Sequence, residues 1–107
     1  MYKIDKITDH KGWIKEDDDS VRHTGCVVTA KMEDGCALLH CRKDNQGNVC
    51  DRYIRTSLIQ NWKKNNTTGD IALETMNSVY YLKQVRTCAK QSRMVSATLF
   101  LRLSTLT

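Results

Sequence analysis

The 107-residue chain contains no proline. A rigid proline-rich linker is therefore excluded, and the sequence offers no reason to divide the chain into two domains. A chain of this length buries one modest core and leaves no room for a second lobe around a large cofactor. We expect a single domain over residues 1–107 that binds no cofactor, with residues 86–107 as a helical or strand-like carboxy-terminal extension.

The sequence also lacks a long apolar run. No window approaches the ~20 consecutive apolar residues that a membrane-spanning helix needs, and the charged residues 1–7 are unlike a secretory signal. Five cysteines, an odd number without such a signal, favour reduced thiols over a disulfide framework. We expect a soluble protein in the cytoplasm, without a membrane partner.

Motifs that specify catalysis are missing as well. The sequence has no Cys-x-x-Cys pair, nucleophile elbow or glycine-rich phosphate loop. Soft metal ligands are nevertheless concentrated in one half of the chain, at His23, Cys26, Cys36, His40, Cys41 and Cys50. Because adjacent residues of a strand point to opposite faces, His40 and Cys41 are poorly placed to share a metal. We therefore predict no catalytic, metal or cofactor-binding residue, and a Cys/His metal-binding protein remains a further alternative.

Short runs of β-branched and aromatic residues, separated by turn residues, make up most of the chain. Residues 24–32 are followed by Glu33-Asp34-Gly35, in which Asp-Gly is a strong hairpin signal, and residues 36–43 form the returning strand. Residues 44–48 form the next turn. The three adjacent carboxylates of residues 17–19 repel one another and predict an exposed loop. The fold class is mainly β, a small antiparallel meander or barrel, or α+β if the tail forms a carboxy-terminal helix.

Residues 56–82 carry the most specific pattern. A tight hairpin centred on Asn77 and Ser78 places Leu73 opposite Leu82. The strand before it then completes a three-stranded meander with a free edge, through which a homodimer could form. Two apolar rows follow, with Trp62, Leu73 and Leu82 in one, and with Ile59, Met76 and Val79 in the other.

From residue 86 the chain has four basic residues and no acidic ones. Apolar residues at helical spacing favour a helix from about residue 86, whereas strict alternation over residues 97–103 fits a strand. On a helix, Arg86, Lys90 and Arg93 would form a cationic strip. Such a strip would suit nucleic acid or an acidic protein surface.

The net charge of +5 lies in the body of the chain, because residues 1–20 hold four lysines against six acids. Two segments place cations beside aromatic side chains, as a nucleic-acid stacking platform requires. Together with the tail they supply the candidate binding residues Arg52, Tyr53, Arg55, Lys63, Lys64, Arg86, Lys90 and Arg93. An alternative assigns Trp62 to the core and leaves Lys63 and Lys64 in a solvated turn.

Thr56-Ser57, followed by Glu74-Thr75-Met76-Asn77-Ser78-Val79-Tyr80-Tyr81-Leu82, resembles a carboxy-terminal hairpin of small uncharacterised β-rich proteins from bacterial phages and mobile elements. The resemblance implies an accessory protein of the kind that inhibits host defence, as anti-CRISPR proteins do. We therefore expect a non-enzymatic binding protein that acts in the bacterial host cytoplasm and covers a surface of a host protein or nucleoprotein complex. A direct nucleic-acid-binding module is the alternative.

Overall fold

The computed structural model describes residues 1–85 as six strands and one short helix. In chain order the elements are β1 (Tyr2–Thr8), α1 (Asp18–His23), β2 (Val27–Glu33), β3 (Cys36–Lys43), β4 (Val49–Lys64), β5 (Ile71–Thr75) and β6 (Val79–Gln84). Each strand pairs antiparallel with the next, and β1 pairs with both β2 and β6, which closes a barrel. The predicted mainly-β fold is confirmed. The predicted helix or strand of residues 86–107 lies outside the described residues.

Alternation of side chains along each strand fills the barrel. In β5, for example, Ile71, Leu73 and Thr75 are buried while the residues between them are less so. Each fully buried aliphatic or aromatic side chain contributes roughly 1.5–3 kcal/mol by removal from water. The core consists of Tyr2, Ile4, Ile7, Cys26, Val28, Ala37, Leu39, Cys41, Ile54, Ile71, Leu73 and Leu82.

The β5–β6 hairpin turns one residue earlier than predicted. Leu73 lies opposite Tyr80, and Leu82 lies opposite Ile71. The reason is the buried hydroxyl of Thr75, which donates to the Ser78 carbonyl at 2.9 Å and accepts from the Ser78 backbone N–H at 3.2 Å. These bonds leave Met76 and Asn77 at the centre of the turn.

The shifted turn changes only part of the predicted packing. Moving the centre of the turn by one residue shifts each cross-strand partner by two residues. Because alternate residues share a face, Leu73 and Leu82 both still point inward. Trp62 is paired with Leu73 as predicted, and it packs against the core. The second predicted row is wrong for Met76, which is 53% exposed at the turn.

The acidic stretch is exposed, but it is not a loop throughout. The Asp17 carboxylate caps α1 by accepting hydrogen bonds from the Ser20 backbone N–H and hydroxyl. Those bonds hold the pKa of Asp17 below its ordinary value. Asp18 and Asp19 follow in the first turn, where negative charge is favoured by the helix dipole. Mutual repulsion of the carboxylates is thus outweighed by capping.

One edge of the meander is covered, and the other is covered only in part. β6 pairs with β1 from Tyr2 to Thr8, and the start of β4 pairs with β3. β3 pairs with β4 only as far as Leu58, so within residues 1–85 no strand is paired with the other edge of β4 over Ile59–Lys64. The homodimer through a sheet edge stays a prediction.

Candidate nucleic-acid interface

β4 separates the predicted binding residues onto different parts of the barrel. Its first half pairs with β3, whereas its second half, from Ile59 to Lys64, pairs with β5. Tyr53 and Arg55 therefore lie on one outer face, and Lys63 lies on another. Lys64, the last residue of the strand, is half-buried opposite the buried Ile71. The remaining candidates, Arg86, Lys90 and Arg93, fall outside the described residues.

Arg52 lies on the inward side of β4 and does not share the outer face of Tyr53 and Arg55. It lies opposite the buried Cys41, and its Nη2 is 3.6 Å from the Cys26 sulfur. Its Nε is buried and has no hydrogen-bond partner within residues 1–85. Strand alternation puts Arg52 on the inward side while its neighbour Tyr53 points outward. Arg52 is therefore poorly placed to contact a phosphate.

Free thiols pack beside Arg52 at this end of the barrel. Cys26 and Cys41 are buried, and Cys50 packs against the same core. Burial raises the pKa of the Cys41 thiol to about 12, with further contributions from the Cys50 and Cys26 thiols. A thiol held in this protonated form is neither a good nucleophile nor a metal ligand. In the described part of the chain, no group of three or more His, Cys, Asp or Glu side chains is arranged to hold a metal ion.

Tyr53 and Arg55 lie on an outer face whose charges are already paired. The Tyr53 ring is 60% exposed and stacks on His40 with ring centroids 4.3 Å apart. Arg55 Nη1 lies 3.3 Å from a Glu33 carboxylate oxygen, and its Nη2 lies 3.7 Å from Asp34. The hydrogen bond with Glu33 also raises the pKa of Arg55. This face is therefore organised for contact but carries little free positive charge.

Lys63 and Lys64 end β4 and do not form the solvated turn that one sequence interpretation allowed. They line an open groove of about 400 Å³ on the side of the barrel formed by β4, β5, β6 and β1. Other residues that line the groove include Asp5, Asp70, Ala72, Tyr81 and Lys83.

A row of cross-strand neighbours runs from the groove to the adjoining strand β1. Lys63 lies opposite Ala72, Ala72 opposite Tyr81, and Tyr81 opposite Lys6. Ala72 extends outward by only one methyl group, so the surface dips between Lys63 and Tyr81. The Lys6 ammonium lies 4.7 Å from the centroid of the Tyr81 ring, within the range of a cation–π contact.

A second row places two cations directly side by side. Lys3 is opposite Lys83, and both are exposed. Like charges at directly opposed positions of a sheet destabilise the pairing. We use the term lysine face for the surface formed by Lys3, Lys6, Lys63, Lys64 and Lys83. None of these lysines forms a salt bridge with a carboxylate of residues 1–85.

Most of the lysine face escapes prediction from the sequence. Lys3 and Lys6 are about 80 residues from Lys83 in the chain, and only the pairing of β1 with β6 brings them together. One local signal is present, because Tyr81 and Lys83 flank the buried Leu82 and must share the outward face of their strand.

Comparisons with protein-family models, curated proteins and solved structures find no match for the chain. The sole helix of residues 1–85 has six residues, so no described helix has the length and apolar character to span a membrane.

Proposed function

We propose that the protein is a non-enzymatic binding protein whose lysine face contacts nucleic acid, either free or within a nucleoprotein complex. The observation that carries this proposal is a cluster of lysines without salt-bridge partners in residues 1–85. Exposed Lys63 and Lys83 and half-buried Lys64 line the groove, and exposed Lys3 and Lys6 lie beside it on β1. The opposed pair Lys3 and Lys83 adds to it, because their repulsion costs stability that a bound phosphate would restore.

The lysines at the rim of the groove suit a phosphate backbone. Lysine ammonium groups neutralise phosphates and release condensed counterions, so affinity falls as salt rises. Tyr81 supplies an aromatic ring among these cations, which is the combination that single-strand binding surfaces use. The outer face around Tyr53 and Arg55 is less suited, because its cation is already paired with Glu33 and Asp34.

A gel-shift titration at about 50 and 200 mM salt tests the proposal. We expect binding that weakens with salt and a loss of about tenfold for Lys63→Glu. Arg42→Glu is the matched control, since it makes the same charge change on β3, which pairs with neither β5 nor β6. Absence of binding at the lower salt concentration, or an equal loss for the two variants, would refute the proposal.

A second candidate function is the covering of a host protein surface by an inhibitor encoded by a phage or mobile element, acting in the bacterial cytoplasm. It is favoured by two exposed apolar residues whose backbones are joined outside the barrel. Met76 donates its backbone N–H to the Leu58 carbonyl at 2.9 Å, and their side chains are 53% and 50% exposed. Adjacent exposed apolar side chains are typical of protein contacts.

A nuclease-interference assay separates the two candidates. If the protein inhibits a CRISPR nuclease through its apolar side chains, Leu58→Asp abolishes the inhibition and Lys63→Glu leaves it intact. If inhibition acts through the lysine face, Lys63→Glu abolishes it and Leu58→Asp leaves it intact. No inhibition by the unmodified protein would remove the inhibitor proposal and leave the gel-shift result standing.

A further inference from the structure

We infer that the lysine face takes single-stranded nucleic acid, with a base stacked on Tyr81 above Ala72 and the flanking phosphates on the surrounding lysines. This inference rests on the proposed function and names which nucleic acid the groove takes. It follows from the juxtaposition of Lys63, Ala72, Tyr81 and Lys6 in one row across four strands.

The groove is large enough for a nucleotide and lies open to solvent. Its volume of about 400 Å³ is in the range of small-molecule sites. Ala72 supplies the low point of the surface, because the residues on either side of it in the row, Lys63 and Tyr81, both have long side chains. A flat group that enters above Ala72 therefore lies next to the Tyr81 ring.

The charges in the groove favour a base at its centre and phosphates at its rim. Two carboxylates, those of Asp5 and Asp70, line the groove together with the lysines. The Asp70 carboxylate is held in place, since it accepts a hydrogen bond from the Gln84 backbone N–H at 2.9 Å. These carboxylates repel a phosphate but not a neutral base. The exposed Lys63 and Lys83 ammonium groups can reach outward to the phosphates on either side.

Tyr81 is equipped to stack on such a base. Lys6 lies over its ring from the β1 side, whereas Ala72 pairs with Tyr81 from the β5 side. A base above Ala72 therefore approaches the ring from the side away from Lys6. A duplex offers no comparable contact, because its bases are already stacked on one another and its outer surface is backbone. The structure therefore predicts that Tyr81 strengthens binding of a single strand and contributes little to a duplex.

Fluorescence anisotropy with a labelled oligonucleotide of about 12 nucleotides, single-stranded or as its duplex, tests this inference. We expect Tyr81→Leu to weaken single-strand binding about tenfold and to change duplex binding less than about twofold. Tyr81→Phe keeps the ring and should retain single-strand affinity. Circular dichroism confirms that each variant is folded.

An abasic oligonucleotide of the same length provides a test that needs no variant. It keeps the phosphates and lacks the bases, so the unmodified protein should bind it about tenfold more weakly than the normal strand. Equal affinity for the abasic and normal strands, or an equal loss for single strand and duplex in Tyr81→Leu, would overturn base stacking and leave the proposed function intact. Failure of the unmodified protein to bind any of these oligonucleotides would overturn the proposed function itself, as would binding restricted to acidic proteins.

Discussion

Lys3→Glu should stabilise the barrel while weakening the binding of nucleic acid. Lys3 and Lys83 face each other across β1 and β6, and both are exposed. Like charges at such positions cost roughly 0.2–1 kcal/mol, and an opposite pair contributes a similar amount. After screening by solvent, reversing one charge should raise the free energy of unfolding by about 0.5–1 kcal/mol at low salt. For a domain of this size that corresponds to a Tm increase of about 2–8 °C.

Thermal unfolding in low and high salt measures this effect, and Lys3→Gln serves as the control. Removing the charge without reversing it should give about half of the gain. The difference between the variants should shrink as salt screens the exposed charges. A Tm that is unchanged or lower for Lys3→Glu at low salt would show that the two lysines do not repel each other as the pairing implies. A stabilised variant with full affinity for nucleic acid would separate Lys3 from the binding surface.

Three other predictions concern the framework that holds the lysine face. Thr75→Val removes both hydrogen bonds between the Thr75 hydroxyl and the hairpin and should cost about 1–3 kcal/mol in chemical denaturation, whereas Thr75→Ser should cost less. Asp17→Ala removes the cap of α1 and should lower Tm. The pKa of Asp17 is lowered on folding, so its contribution to stability is present above the unfolded pKa and is lost as pH falls through the folded pKa. Thermal unfolding at a series of acidic pH values would show this loss. Cys41 should resist alkylation at neutral pH in the folded protein, because its pKa is raised to about 12, and the half-buried Cys50 should react before it. Peptide mapping by mass spectrometry shows the order of these two thiols, and rapid labelling of Cys41 in the native state would contradict the prediction.

Burial on the strands was predictable where neighbouring residues carry the information. The inward faces of Trp62, Leu73 and Leu82 followed from alternation and survived a hairpin that turns one residue early. The turn itself was mispredicted because Asn77 and Ser78 are good turn residues by type, whereas the buried hydroxyl of Thr75 determines the actual position. Propensity describes single residues, and this hydrogen bond exists only once the strands pair.

The candidate site was predicted less well, for a related reason. Arg52, Tyr53 and Arg55 are close in sequence, yet alternation sends Arg52 inward to Cys26 while Glu33 and Asp34 pair with Arg55. Neither partner of Arg55 is a neighbour along β4. Sequence proximity of aromatic and basic residues therefore overestimated the free charge at this face.

The sequence by itself determined a small mainly-β domain, the approximate extent of most strands and the residues that face inward, because turn chemistry and alternation act over a few residues. Only the tertiary structure decided which outward faces become neighbours. The pairing of β1 with β6 joins Lys3 and Lys6 to Tyr81 and Lys83, and the second half of β4 adds Lys63 through Ala72. Closure of a barrel depends on the pairing of distant strands and the register between them, so the lysine face arises only when the barrel closes.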